Sequence, residues 1–398
     1  MLRIHDARTG RVQEVRPSGA LRLYVCGPSA HRYAHLGDLR AQLLPDLVRR
    51  VLERRRVRVV VCRGAADGVG GAPAERVRLH EEALSRDAAA LNLRPPEYAP
   101  DAAESAGLAV DLVGELVGRG HAYATPGGAV FFDPKSISGG DDDSGGSAVA
   151  AGDWPLWTPG GDPSFGSPWG PGLPGPHVAC SAAALRFLGG RVDVHVGPPS
   201  ASREGALSEA AAGHEVVGHR LCGAGLLFEG RPMDGPAEAP AGGTGEGAEE
   251  GTEQGTAEGT AGGTAEGSVL LGDVTAAGLD PLAVRLAFLE RHYRERADLS
   301  WEALRAADAT LRRWRARVAE WAESPSAPMA AAYVERAESA FLDDLDTPSA
   351  LAVLRELERD DSVAPGARFE AFLHLDLVLG LDLSTEIGKA RVEGPARS

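Results

Sequence analysis

Lysine is almost absent from this chain of 398 residues, which has only Lys135 and Lys389. A site that neutralises phosphate charge with lysine side chains is therefore excluded from the long stretch between these two positions. Cysteine is scarce as well, with four residues and no CxxC pair. This argues against a disulfide framework and leaves scattered thiols or metal ligands.

Long hydrophobic runs are missing too. No eighteen consecutive residues are apolar, and the N-terminus carries no apolar signal core. The sequence therefore predicts a soluble cytoplasmic protein with no membrane partner. The net charge of −16 is uneven, because residues 237–266 lack lysine and arginine while residues 49–58 are strongly basic. The basic run fits either a solvated helix face or a contact with a nucleotide or RNA.

A strand–helix–strand unit is predicted near the N-terminus. The apolar runs at 21–25 and 57–63 are typical of strands, and leucines and valines between 38 and 54 recur at helical spacing. This order predicts a βαβ unit with parallel strands.

The remaining sequence changes character twice. Residues 235–267 repeat Gly-Thr-Ala-Glu-Gly without large apolar side chains, which predicts disorder. From 281 to about 380 the apolar spacing is typical of a small helical bundle. Other predicted elements are helices at 77–92 and 103–119, strands at 129–133, 192–197 and 224–230, and a flexible connector at 137–152. The predicted domains are 1–233 with a short connective insertion near 120–155, an acidic insert at 234–268, the bundle at 269–385 and a tail at 386–398.

Several blocks resemble cysteinyl-tRNA synthetases and the related cysteine ligase of the mycothiol pathway. The most specific is SPWGPGLPGPHVACSA at 167–182, which is similar to the family's SPWGxGRPGWHIECSA. The others are LYVCGPSAHRYAHLGDLRA (23–41), GHAY (120–123), VFFD (130–133), GLDPLAVRLAFLERHYR (278–294) and LDDLDTPSAL (342–351). The resemblance implies an α/β fold, in which a Rossmann-like class I synthetase catalytic domain is followed by a C-terminal helical bundle.

This family joins cysteine to ATP, forming cysteinyl-adenylate and pyrophosphate. The resemblance therefore implies ATP as co-substrate and a cysteine-like small molecule as ligand, and leaves open whether Mg²⁺ accompanies the ATP. Only about eighteen residues follow the bundle, where the family's synthetases carry an anticodon-binding region. The acceptor stays open between tRNA and an amino-sugar thiol precursor. The missing region makes tRNA the less expected of the two and favours a ligase like the mycothiol enzyme, or a stand-alone remnant. The oligomeric state is not implied.

The family's HIGH turn corresponds to His35-Leu36-Gly37-Asp38. The resemblance implies that His35 is catalytic and binds ATP together with Gly37, Asp38 and His177. Asp38 replaces the second histidine, so it either places a negative charge beside the phosphates or caps a helix beginning at Leu39. The family's KMSKS loop corresponds to RPMDGP at 231–236, where both lysines are gone and Arg231 is the candidate substitute.

The family's Zn²⁺ is held by two cysteines, a histidine and a glutamate, and it binds the substrate thiolate. Cys26 and Cys180 correspond to the cysteines and Glu209 to the glutamate, whereas the histidine position falls at Gly205. The set is therefore incomplete unless His195 or His214 completes it, and two buried structural thiols are the alternative. Cys26 and Gly27 are the implied substrate contacts.

Two functions stay open at this point. The first is an ATP-dependent, cysteine-activating ligase with weakened chemistry, and the second is a catalytically inactive paralogue that binds a ligand or a protein partner. Convergence on one cleft would favour a surviving binding site, and a Glu209 that points away would indicate loss of the metal site. The residues expected to converge are His35, His177, Cys26, Cys180 and Glu209.

Overall fold

A computed structural model describes residues 1–28, 32–64, 74–138, 152–161, 164–175, 177–233 and 268–389. The predicted disordered segment 235–267 lies outside these residues, as does most of the predicted connector at 137–152. The helices are α1 (Leu36–Arg54), α2 (Ala74–Ala90), α3 (Ala102–Gly118), α4 (Lys135–Ser138), α5 (Val178–Leu188), α6 (Ser202–Ala212), α7 (Leu271–Ala276), α8 (Pro281–Leu289), α9 (Trp301–Ala322), α10 (Ala331–Leu342), α11 (Thr347–Arg359) and α12 (Pro365–Leu379). The strands are β1 (Arg3–Asp6), β2 (Arg11–Glu14), β3 (Leu21–Val25), β4 (Val59–Arg63), β5 (Ala122–Ala124), β6 (Val130–Phe132), β7 (Trp154–Pro159), β8 (Gly172–Pro174), β9 (Val192–Val196), β10 (Val217–Leu221), β11 (Leu226–Phe228), β12 (Arg231–Pro232) and β13 (Ala297–Leu299).

The central sheet is parallel and has the strand order β10-β9-β3-β4. Strands β3 and β4 pair from Leu21 with Val59 to Val25 with Arg63, and α1 connects them. The predicted βαβ unit is therefore confirmed. All five residues of β9 are buried, as a parallel strand covered on both faces requires.

Helices cover both faces of this sheet. On one face, the apolar stripe of α1 joins strand residues and the C-terminal helices in one continuous hydrophobic core. On the other face, α5 packs against residues of β3, β4, β9 and β10. Beyond it, α3, α5 and α6 pack with the residues of β5–β7. The sheet is therefore packed on both faces, and this packing positions the loops at the carboxyl ends of its strands.

The segment between α3 and α5 forms a small antiparallel sheet, β5-β6-β7-β8. This sheet continues to Pro174, beyond the predicted insertion bound near 155. The helical stretch is also not purely helical, because β13 pairs in parallel with β11. The bundle segment therefore contributes a strand to a separate three-stranded sheet, β12-β11-β13.

The basic run at 49–58 is largely engaged within the fold. Arg50 is buried and donates to Asp46 and to the carbonyls of Leu377 and Asn92. Arg49 pairs with Glu53 and Glu97. The interpretation as a purely solvated face is therefore wrong for this part of the run. Among the described residues, no helix is long and apolar enough to cross a membrane.

Candidate functional site

A cleft of about 500 Å³ opens beyond the carboxyl ends of β3 and β9. These strands are neighbours, yet the chain continues from β3 to β4 on one side and reaches β9 on the other. Such a switch in strand order leaves a crevice, which is where open α/β sheets bind ligands. The cleft is lined by Cys26, Gly27, His35, Gly37, Asp38, His177, Cys180 and Glu204, among others.

Cys26, His195 and Glu204 form a compact group of metal-ligand type. The Cys26 Sγ lies 3.6 Å from His195 Nε2 and 3.3 Å from Glu204 Oε2, and His195 Nε2 lies 3.0 Å from the same carboxylate oxygen. A tetrahedral zinc with bonds of about 2.0–2.3 Å separates its neighbouring ligand atoms by about 3.3–3.8 Å. The donor types suit zinc and both separations from the Cys26 Sγ fall within this range, whereas His195 and Glu204 are 0.3 Å closer than its lower end, at hydrogen-bond distance.

Each member comes from a different segment. Cys26 follows β3, and its backbone N–H donates to the carbonyl of Val196 at the end of β9. His195 lies within β9, and Glu204 lies in the first turn of α6. The sheet register and the seating of α6 therefore assemble this group.

Glu204 is buried, with 5% of its surface exposed. Burial by itself would raise the pKa of this carboxyl, but hydrogen bonds from His177 and His195 outweigh that effect and lower the pKa to about 2. Burial, followed by the nearby Glu204 carboxylate, raises the pKa of the Cys26 thiol well above its usual value. The buried negative charge of Glu204 favours a bound cation, which would also favour the Cys26 thiolate.

His177 and Cys180 lie beside this group at the start of α5. His177 Nδ1 is 3.2 Å from Glu204 Oε1, so the imidazole orients the carboxylate from outside the three-ligand set. Cys180 is buried and lines the same cleft. The Cys180 thiol and the Tyr24 hydroxyl both lie against Gly64. A Cβ at Gly64 would lie 1.8 Å from Tyr24 Oη and 3.2 Å from Cys180 Sγ, which places the two side chains close together.

The absence of a side chain at Gly197 leaves space for the Cys26 thiol. A Cβ at Gly197 would lie 2.7 Å from the Cys26 Sγ and 3.0 Å from the Cβ of Ala201. A glycine immediately after β9 is therefore a steric condition for the observed place of the thiol.

Two residues that the sequence proposed as metal ligands lie elsewhere. Glu209 does not join the group, since its carboxylate accepts a 3.4 Å hydrogen bond from the backbone N–H of Val217. His214 is exposed, and its Nδ1 lies 3.0 Å from the carbonyl of Glu215. The structure instead brings Glu204 and His195 to Cys26. A Glu209 that points away therefore does not remove the metal-ligand group.

The HIGH-like turn begins helix α1 earlier than expected. The helix starts at Leu36, not Leu39, with His35 as its N-cap. His35 Nδ1 accepts from the backbone N–H of Asp38 at 3.1 Å, and the Asp38 carboxylate accepts from the backbone N–H of His35 at 2.9 Å. Asp38 therefore caps α1 from the third helical position, in a reciprocal capping box.

Other backbone groups also approach this turn. The Leu36 N–H donates to the carbonyl of Val269 at 3.0 Å. A Cβ at Gly37 would lie 3.0 Å from the Met233 carbonyl oxygen, so the segment corresponding to the KMSKS loop reaches the turn through its backbone. Arg231 itself is exposed in β12, pairs there with Phe228, and is not among the residues that line the cleft.

Comparison with known proteins identifies the family. The model for the tRNA synthetases class I (C) catalytic domain matches residues 12–234. The L-cysteine:1D-myo-inositol 2-amino-2-deoxy-alpha-D-glucopyranoside ligase of Thermobispora bispora is 31% identical, with 92% of each chain covered. The cysteine–tRNA ligase of Xanthomonas campestris pv. campestris is 31% identical, with 96% of this chain and 85% of the relative covered.

Solved structures support the same fold. Methionyl-tRNA synthetase of Mycobacterium tuberculosis bound by methionyl-adenylate superimposes with a TM-score of 0.61, covering 91% of this chain and 92% of that chain at 14% identity. At this identity the likeness concerns the fold alone, which is that of a class I aminoacyl-tRNA synthetase. With the matched catalytic domain and the two ligase relatives, it follows that this chain belongs to the cysteine-activating ligases of the class I (C) tRNA synthetase family.

Proposed function

We propose that this chain activates L-cysteine with ATP. A cysteine carboxylate oxygen attacks the α-phosphorus of ATP, the bond from that phosphorus to the bridging oxygen breaks, and cysteinyl-adenylate and pyrophosphate form. The observation that carries the proposal is one cleft lined both by the HIGH-like turn and by Cys26 and Glu204, with His195 directly beside these two side chains. The HIGH-like turn suits the phosphates of ATP, and the metal-ligand group suits the thiol of cysteine.

Recognition of cysteine is assigned to the metal-ligand group. Cys26, His195 and Glu204 would hold a zinc ion with a fourth position open, with His177 and Cys180 beside it. Such an ion, when bound, supplies a soft partner for the substrate thiolate, which distinguishes cysteine from serine. His177 keeps the Glu204 carboxylate in place through its Nδ1.

The phosphate side of the cleft supports a slow reaction. Asp38 stands where the family has a second histidine, so that donor is missing from the phosphate turn, and the carbonyl of Val269 accepts from the first N–H of the helix. Family members offer lysines to the transferring phosphates, whereas this chain has no lysine between 135 and 389. Loss of one donor to a transition-state charge costs about 10²–10³ in rate, so we expect adenylate formation at least about a hundredfold below that of an ordinary member.

A catalytically inactive, ligand-binding paralogue is the second candidate. The observation that favours it is that backbone N–H groups at the N-terminus of α1 already have acceptors within the protein. These acceptors are the side chains of His35 and Asp38 and the carbonyl of Val269, and they occupy N–H groups that a phosphate would otherwise meet. The acceptor is likewise a proposal. The relatives include a ligase for an amino-sugar inositol and ligases for tRNA, and we propose an amino sugar as the first acceptor to test.

Cysteine-dependent ATP–pyrophosphate exchange tests the proposal directly. We expect slow exchange that requires cysteine, that serine does not support, and that is lost in Cys26→Ser. Arg16→Gln, which alters an exposed residue of the N-terminal segment, is the matched control and keeps the wild-type rate. No exchange above background, together with retained binding of ATP or cysteine, would establish the inactive paralogue instead.

A further inference from the structure

Asp38 forms an ion pair with Arg32, a residue outside the segments that correspond to the HIGH and KMSKS motifs. Arg32 Nη1 lies 2.5 Å from Asp38 Oδ2, and Arg32 Nη2 lies 3.2 Å from Asp38 Oδ1. Arg32 Nη1 also donates to the carbonyl of Tyr33 at 3.2 Å. This two-pronged geometry fixes the orientation of the guanidinium plane.

Both members of this pair line the cleft. The Arg32 side chain is 31% exposed and that of Asp38 is 14% exposed, so the arginine is the more accessible of the two. A guanidinium has five N–H donors, and its contacts with Asp38 and Tyr33 leave others that a ligand in the cleft can use.

We propose that Arg32 is a phosphate-binding residue of this cleft and that Asp38 positions and partly neutralises it. The proposal rests on the proposed function, because it takes the cleft to bind the triphosphate of ATP. A lysine-poor enzyme has to supply positive charge from arginine, and arginine matches phosphate oxygens in a bidentate manner. The pair as a whole carries no net charge, which weakens the attraction for phosphate without abolishing it.

Because the pair joins a positive and a negative side chain, the direction in which each substitution changes ATP affinity tests the proposal. Arg32→Gln leaves the Asp38 charge alone in the cleft, whereas Asp38→Asn leaves the Arg32 charge alone. Asparagine keeps an oxygen that can accept from the His35 N–H, so the capping contact can persist. If Arg32 binds phosphate, the two substitutions change ATP affinity in opposite directions. A purely structural ion pair predicts that both substitutions weaken it.

The dissociation constants of ATP and adenosine, measured by titration calorimetry without cysteine, provide the readout. We expect Arg32→Gln to weaken ATP binding about tenfold or more, the effect of losing a charge-assisted contact. We expect Asp38→Asn to tighten ATP binding severalfold and the double variant to lie near wild type. Adenosine, which has no phosphate, should bind all four proteins equally. Arg16→Gln and Glu14→Gln make the same charge changes at an exposed pair and serve as matched controls.

Three results would overturn the proposal. Weaker ATP binding in both single variants, with unaltered adenosine binding, would make the pair structural. Unchanged ATP binding in Arg32→Gln would remove Arg32 from the site. Parallel changes in adenosine binding, or a lowered melting temperature, would assign the effect to damage of the fold.

The same measurements separate this proposal from the proposed function. Cysteine-dependent exchange with an unresponsive Arg32 overturns only the role of Arg32. Opposite shifts in ATP affinity without any exchange support Arg32 and overturn catalysis. Failure of wild type and Asp38→Asn alike to bind ATP overturns both.

Discussion

Two glutamates of α6 lead to opposite expectations for zinc binding. Glu204 contacts Cys26 and His195, whereas Glu209 contacts the backbone of Val217. Glu204→Gln and Glu209→Gln make the same isosteric change on one helix, five residues apart. We expect only Glu204→Gln to lose zinc.

The expected magnitude follows from the contacts. Glu204 supplies one of three ligand atoms, which all lie within 4.8 Å of one another. Loss of a partner outside the ligand set typically costs about 10–100-fold in metal affinity, so loss of a ligand should cost more than about 100-fold, or about 2.7 kcal/mol. His177→Ala removes an outside partner and should fall within the lower range. Glu209→Gln should stay within about twofold of wild type.

Competition with a chromophoric zinc chelator measures these affinities in the full chain. Melting temperatures of the metal-free proteins are the control for folding, and glutamine should preserve the fold because it is isosteric with the buried glutamate. Equal losses in Glu204→Gln and Glu209→Gln would refute the geometric assignment. Stoichiometric, unaltered zinc in Glu204→Gln would remove the glutamate from the ligand set.

Two further predictions concern the space beside the Cys26 thiol and the buried ion pair between Asp46 and Arg285. Gly197→Ala, whose Cβ would lie 2.7 Å from Cys26 Sγ, should displace the thiol and lower both zinc affinity and exchange, at about 1–3 kcal/mol of stability. Gly107→Ala in α3, where the Cβ meets open space, is the control and should leave both unchanged; equal effects would contradict the steric reasoning. Asp46→Asn should destabilise the chain by about 3–5 kcal/mol at neutral pH, because it leaves the fully buried Arg285 without its 2.7 Å carboxylate partner. Burial by itself would raise the pKa of Asp46, but Arg285 and Arg50 outweigh it and lower the pKa, so the stabilisation is present above the unfolded-state pKa of about 3.9 and is lost as the pH falls through the folded-state value. Urea unfolding should therefore show the difference between wild type and Asp46→Asn shrinking as the pH falls below about 4; a constant difference would contradict it, and Asp343→Asn at an exposed pair should cost below about 1 kcal/mol throughout.

The sequence by itself determined the family and the frame of the fold. Local patterns were sufficient for the βαβ unit, because the apolar runs of β3 and β4 and the helical spacing of α1 are read within single segments. Motif order was sufficient for the synthetase assignment. Both kinds of signal depend only on residues that are close along the chain.

The tertiary structure alone decided which side chains meet. Glu204 and Glu209 are five residues apart, which is about 140° around a helix at about 100° per residue, so only one of them can face Cys26. Which one does so depends on how α6 packs against α3 and α5. His195 is a buried residue within a parallel strand, and its sequence neighbours do not distinguish a core histidine from a ligand.

The same distinction applies to Arg32 and Asp38. Their six-residue separation crosses the start of α1, so the pairing depends on where the helix begins and how the chain enters it. The sequence showed that a histidine was replaced by an acid. Only the folded turn shows that this acid holds an arginine in the cleft, because ion pairs between segments are set by packing rather than by local spacing.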